Sequence, residues 1–136
     1  MAAPVIFIST YAIRAGTLDD LRQFLRELFR VLEQNGPRAL AVNAYVNKER
    51  TEVSIVQVHP DPDSIKEYWK TVHQHTGREL SQFLDAPTST QVYGDASDLV
   101  LARTRHSAQS GVVMSIKREH LGGFTRLAPA AGRPGV

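Results

Sequence analysis

His73 follows Trp69 by four residues in the run DSIKEYWKTVHQH, the spacing that places two side chains on one face of a helix. A neutral imidazole beside an indole can act as general base toward a phenolic hydroxyl, because its ordinary pKa lies near working pH. Tyr68 and Trp69 offer ring surface to an aromatic ligand, and His59, just before Pro60, is a second candidate for handling a proton. Each has a plainer reading. Ile65, Tyr68, Trp69 and Val72 recur at the spacing of a core stripe. His73 suits a solvent-facing helix C-terminus, where a cation meets the negative end of the dipole. His59 either borders a cleft or hydrogen-bonds its own loop, and His75 is rotated away from the Trp69 face.

Asn43, Tyr45 and Gln57 are the candidates for orienting a ligand by hydrogen bonds, joined by Tyr11 and Ser9 if their strand parity is the inward one. Polar groups inside a sheet layer must find partners in protein, water or ligand, and structural satisfaction is the ordinary outcome. Other chemistry finds little footing. There is no cysteine, which removes thiolate nucleophiles and Cys-based metal sites. His73 and His75 are two apart on a helix, with no HExxH or two-His-one-carboxylate spacing, so no metal is expected. The Gly pair in LGGFTR lacks the spacing of a phosphate loop, and no GxSxG elbow is present.

The composition is that of a globular protein, with 42% hydrophobic and 22% charged residues in 136. One domain of this size is small for a cleft enzyme working alone, which makes a homodimer attractive. The net charge of +2 is mild and the basic residues are scattered among acids, so nucleic acid is not an expected partner. Apolar runs such as Val5 to Ile8 are too short to cross a bilayer, and MAAPVIFIST lacks a basic n-region and a cleavage site. No membrane partner and a cytoplasmic location are expected.

The elements that must position these residues follow from periodicity. Residues 4–13 are β-branched and aromatic at both parities, Val5, Phe7 and Ile13 on one and Ile6, Ile8 and Ala12 on the other, as in a strand covered on both faces. Thr17 reads as the cap of a helix, with Asp20 as its capping-box partner. Leu18, Leu21, Leu25, Leu28 and Leu32 form its stripe, and Gly36-Pro37 its stop. Residues 39–47 and 51–59 flank Asn47-Lys48-Glu49-Arg50 and read as a hairpin, with Leu40, Val42, Ala44 and Val46 on one face of its first strand and Ala41, Asn43 and Tyr45 on the other. In its second strand Val53, Ile55, Gln57 and His59 share a parity. Asp61 or Asp63 can cap the next helix. Thr76-Gly77 interrupts that helix, RELSQFLD supplies a shorter helical piece with Leu80, Phe83 and Leu84 toward the core, and TSTQVY is a fourth strand after Ala86-Pro87. The order is βαββαβ, the α+β, ferredoxin-like arrangement. A helix from Ala96 to about Arg105, a strand GVVMSIK and the segment HLGGFTRL, with Phe124 as an apolar anchor, extend it. Residues 1–127 thus read as a single domain, with a core over 4–94, a C-terminal extension over 95–127 and a loose tail over 128–136.

With that order the chain resembles the dimeric α+β barrel superfamily, in its antibiotic-biosynthesis-monooxygenase-like branch. The resemblance covers residues 4–94 and is carried by VSIVQVH running into DPDSIKEYW and by TSTQVYG, while the end in GGFTR resembles a C-terminal addition on some members. It implies a homodimer whose two sheets face one another as a barrel, which would explain the double-sided apolar first strand. It also implies that Asn43 and Tyr45 point into a cleft between the sheet and the second helix. The branch includes cofactor-independent oxygenases of aromatic polyketides, haem-degrading enzymes and isomerases. The haem-degrading members use an Asn on the first strand, the helix Trp and a downstream His; here the strand offers Ser9, Thr10 and Tyr11, and no His lies between Thr76 and Ala86.

The resemblance therefore implies a cofactor-independent monooxygenase. A small aromatic or apolar ligand would be held by Trp69 and Tyr68 and oriented by Asn43 and Tyr45, and His73 or His59 would move the proton. The GGFTR segment would close the cleft or lie across the partner. A non-catalytic small-molecule-binding or stress-associated homodimer, and a polyketide cyclase or isomerase, are the alternatives the same fold hosts.

Overall fold

The computed structural model describes residues 3–36, 38–76, 79–107 and 111–126. Pro37, expected as a helix stop, Gly77, expected as a helix interruption, and the 128–136 tail lie outside them. Strand β1 (Val5–Ile13) leads to helix α1 (Leu18–Gln34), then to the hairpin of β2 (Ala41–Val46) and β3 (Glu52–His59). Helix α2 (Pro62–Thr76), strand β4 (Leu84–Tyr93), helix α3 (Asp98–Ser107) and strand β5 (Val113–Lys117) follow. The five-stranded sheet runs β2-β3-β1-β4-β5. Its pairs are antiparallel except β4 with β5, which are parallel. This is the expected ferredoxin-like α+β subunit, lengthened at one sheet edge by a strand–helix–strand crossover.

Helix α1 forms where leucine recurs at three and four: Leu21, Leu25, Leu28 and Leu32 are buried while Arg22, Arg26, Arg30 and Glu33 stay exposed. Truncating any one of these leucines to alanine should cost roughly 2–5 kcal/mol. The expected capping box is not made. Thr17 stands at the N-cap with φ −108° and ψ 1° and no side-chain cap bond, outside the extended region a capping hydroxyl uses; its Oγ1 donates instead to the Arg14 carbonyl at 2.8 Å. Helix α2 is capped as expected, the Ser64 N–H donating to Asp61 Oδ1 at 3.0 Å.

Strand β4 begins at Leu84, four residues before the expected start, and the expected helical piece shrinks to a 3₁₀ turn over Glu79–Gln82. Pro87 does not end the strand, because it faces Tyr11 where the β1–β4 register shifts; at such a bulge no regular ladder bond is lost to the missing N–H. Helix α3 starts at Asp98 rather than Ala96, after Ser97, whose φ is +75° and whose Oγ accepts the Val100 N–H at 3.3 Å. Strand β5 occupies only the Val113–Lys117 part of GVVMSIK.

The three described α-helices lie on one face of the sheet and share two cores. The first joins the α1 leucines to Val53, Ile55, Tyr68 and Leu84. The second joins Val5, Phe7 and Val92 to Ile65, Ala96, Val100 and Leu101. Trp69 packs against both. The opposite sheet face carries Ile6, Ile8, Val56 and Val58, adjacent in register and half-buried, flanked by Asn43, Ser54, Thr10, Gln91 and Tyr93. The segment after β5 does not behave as the expected anchor: Leu121 is 91% and Phe124 81% exposed, with Arg126 stacked on the Phe124 ring at 4.7 Å. Among the described residues no helix is long and apolar enough to cross a membrane.

Candidate functional site

A cavity of about 320 Å³ opens between the helix-covered face of the sheet and helices α2 and α3, within the size range of small-molecule sites. Strand β1 contributes Phe7, Ser9 and Tyr11, whose common parity is the inward one; α2 contributes Trp69, Val72 and His73; β4 contributes Pro87 and Thr90; α3 contributes Arg103 and Thr104. The helical repeat explains the α2 wall, since Trp69, Val72 and His73 sit at three and four from one another. Trp69 meets Phe7 edge to face, ring centres 6.3 Å apart at 90°, an arrangement that fixes the indole plane. The Arg103 guanidinium carbon lies 4.8 Å from the centre of the Trp69 ring.

Three hydroxyl-bearing residues sit at the sheet floor, Ser9 and Tyr11 of β1 and Thr90 of β4. The Tyr11 phenol is hydrogen-bonded to the Ser9 side chain; burial raises its pKa above the ordinary value, opposed by that bond. It is therefore a neutral hydrogen-bonding group at physiological pH. The Thr104 hydroxyl is already committed, donating to the Val100 carbonyl at 2.8 Å. His73 is exposed at the cavity rim, between the interior and solvent. Among the described residues no carboxylate lines the cavity.

The other expected residues fall elsewhere. Tyr68 is buried in the core beneath α2 and is not part of the cavity wall; burial, more than the neighbouring Tyr11, raises its pKa. His59 and Gln57 are buried in the sheet layer and bonded to each other, and His59 is bonded also to Ser64, so His59 takes its structural alternative rather than bordering the cleft. Asn43 and Tyr45 do not point into a cleft between the sheet and α2. Both are exposed, Tyr45 at 63%, and they line a separate hollow of about 300 Å³ at the β2 edge, beneath Leu18, Arg22, Arg26 and Phe29 of the α1 side. The reason is parity: Asn43 pairs with Val56 and Tyr45 with Ser54, residues of the face away from the helices. Sequence reasoning missed Arg103 and Thr104. The available signal was the spacing of Val100 and Thr104, buried on α3, with Arg103 three residues after Val100 and on its flank.

No protein-family model matches the chain, and no curated protein matches it by sequence. Solved structures do. The chain is similar to MupZ from Pseudomonas fluorescens at 13% identity, with a TM-score of 0.71 over 93% of this chain and 91% of that one. It is similar to a protein from Chloroflexus aurantiacus provisionally assigned as an antibiotic biosynthesis monooxygenase, at 16% identity and TM-score 0.54 over 66% of this chain and 90% of that one. A conserved protein from Methanosarcina mazei Go1 aligns at 13% identity and TM-score 0.59 over 68% and 92%. The chain thus shares with these solved structures the fold described above, a ferredoxin-like α+β unit. The two shorter matches span about the length of the βαββαβ core, whereas a match over 93% of the chain takes in most of the α3–β5 extension.

Proposed function

We propose that the protein is a small-molecule enzyme of the cofactor-independent monooxygenase kind, acting on a phenol-bearing aromatic compound in the Trp69 cavity. The observation that carries this reading is the convergence of an oriented indole, a rim imidazole and a buried phenol–hydroxyl pair in one cavity: Trp69, His73, Tyr11 and Ser9. Trp69 and Phe7 hold the substrate ring. His73 removes the phenolic proton and passes it to solvent. The resulting carbanion places its electron pair on dioxygen, forming a C–O bond; protonation gives a hydroperoxide, and loss of water, with the ring C–H proton, leaves a quinone carbonyl. Tyr11 donates to the substrate oxygen as charge gathers there. On this reading the enzyme is a cytoplasmic homodimer, the apolar strip of Ile6, Ile8, Val56 and Val58 being covered by the same strip of a second copy.

The test is dioxygen consumption with a tricyclic anthrone, followed by electrode and by the appearance of the quinone absorbance. His73→Gln should retain binding and lose turnover by roughly 10²–10⁴-fold, and Trp69→Ala should lose binding while remaining folded. Unchanged affinity in the Trp69→Ala protein would remove the cavity from consideration. Conversion of the substrate without oxygen uptake would favour the cyclase or isomerase reading of the same site.

A further inference from the structure

We propose that Arg103 makes this cavity selective for aromatic ligands that carry a carboxylate. The inference deepens the reading above and rests on its cavity, but not on its oxygen chemistry. Four arginines of the described surface are neutralised: Arg14 by Asp85, Arg30 by Glu27, Arg38 by Asp61 and Glu67, and Arg118 by Asp95 and Asp98. Among the described residues Arg103 has no carboxylate within ion-pair distance, and the cavity it lines contains none. Its guanidinium lies over the Trp69 ring. A guanidinium resting on an indole keeps its five N–H donors at the edge of its plane, free to meet the two oxygens of a carboxylate in a fork. Arg103 is exposed at the cavity mouth, and Phe7, Trp69 and Val72 form the apolar side of the wall on which an aromatic ring would lie. Helix α3 brings Arg103 to the cavity as part of the extension beyond the βαββαβ core, so the selectivity belongs to the appended element.

The chain has one tryptophan, so the single indole N–H resonance in a ¹⁵N-correlated spectrum reports on this cavity alone. The probes are 2-naphthoate and the neutral, near-isosteric 2-naphthamide, titrated at pH 8, where an ordinary imidazole is uncharged. In the unmodified protein, naphthoate should shift the Trp69 resonance with at least tenfold tighter affinity than naphthamide, and added salt should narrow the difference. Arg103→Gln should erase the preference while naphthamide binding persists, and Arg103→Lys should keep part of it. Equal affinities in the unmodified protein, or an undiminished preference in Arg103→Gln, would overturn the proposal and leave the cavity reading standing. Failure of both probes to move the resonance would overturn both. Selective naphthoate binding without oxygen uptake on a carboxylate-bearing anthrone would sink the monooxygenase reading alone.

Discussion

The His59 imidazole and the Ser64 hydroxyl meet at 2.7 Å across the junction of β3 and α2, while the other ring nitrogen lies 2.8 Å from the Gln57 carbonyl oxygen. An amide oxygen only accepts, so Nε2 carries the proton and Nδ1 takes the Ser64 hydrogen. The ring is 0% exposed, and burial lowers its pKa from 6.5 to about 4, against a smaller opposing pull from Asp61. Folding therefore favours the neutral form. Between the two values the unfolded chain binds more protons, so the contribution is complete above pH 6.5 and is lost as pH falls toward 4. The loss should reach about 3 kcal/mol. Urea unfolding of the wild type and of His59→Gln from pH 7.5 to 4 checks this; the variant should be less stable at neutral pH and lack this segment of the slope.

Asp61 caps α2 through the Ser64 N–H and also receives Arg38, whose two guanidinium nitrogens approach at 2.6 and 2.7 Å. The ion pair is well exposed and contributes little, whereas the lost cap costs about 1 kcal/mol. Asp61→Ala should therefore destabilise by about 1–2 kcal/mol, and Arg38→Ala by less than about 1 kcal/mol, in chemical denaturation at pH 7. A larger effect from Arg38→Ala would reverse this ordering.

Ile8 pairs with Val56 at the centre of the sheet face that no described helix covers. If a second copy covers it, Ile8→Asp buries an unpaired charge at the contact. The wild type should sediment as a dimer at micromolar concentration and Ile8→Asp as a folded monomer. A wild type that sediments as a monomer would remove the homodimer from the proposed function.

Gly94 closes β4 with φ +98°, and a Cβ there would lie 2.8 Å from the Pro4 carbonyl oxygen. Its N–H also donates to the Lys117 carbonyl at 2.9 Å, tying β5 to the turn. Gly94→Ala combines backbone strain with a clash against main chain, which has no rotamer by which to yield. A loss of roughly 2–4 kcal/mol is expected in thermal or urea unfolding.

Where a periodic signal was strong, the fold was legible before the structure: the α1 leucines, the β2–β3 hairpin and the Asp61 cap all lie where spacing and residue type put them. The start of β4 was not, because Pro87 reads as a break unless the bulge opposite Tyr11 is known, and a bulge is a property of two strands together. At the site, Trp69, His73, Tyr11 and Ser9 reach one cavity because helical spacing and strand parity are local rules. Asn43 and Tyr45 lie outside that cavity because they share the polar parity of β2, opposite Val42 and Ala44, which pack on the helix-side core; their placement in the cleft was implied by the resemblance and not by the strand's own alternation. Arg103 was invisible for a different reason: nothing local to α3 indicates that the crossover lays it over Trp69.

Strand β1 stands at the middle of the sheet, and its partners come from far along the chain: Ile6 is paired on one side with Val58 and on the other with Tyr93. A ribosome adding roughly 5–20 residues per second leaves β1 waiting several seconds for its second neighbour. Throughout that interval VIFISTYAI, apolar at both parities and without charge, is exposed as a sticky β-prone segment. Loop closure over such distances also slows refolding relative to the local hairpin and crossover. The strand that most firmly unites the finished molecule is thus its chief hazard during synthesis, and production of the protein depends on how well the cell shields nine residues until the fourth strand arrives.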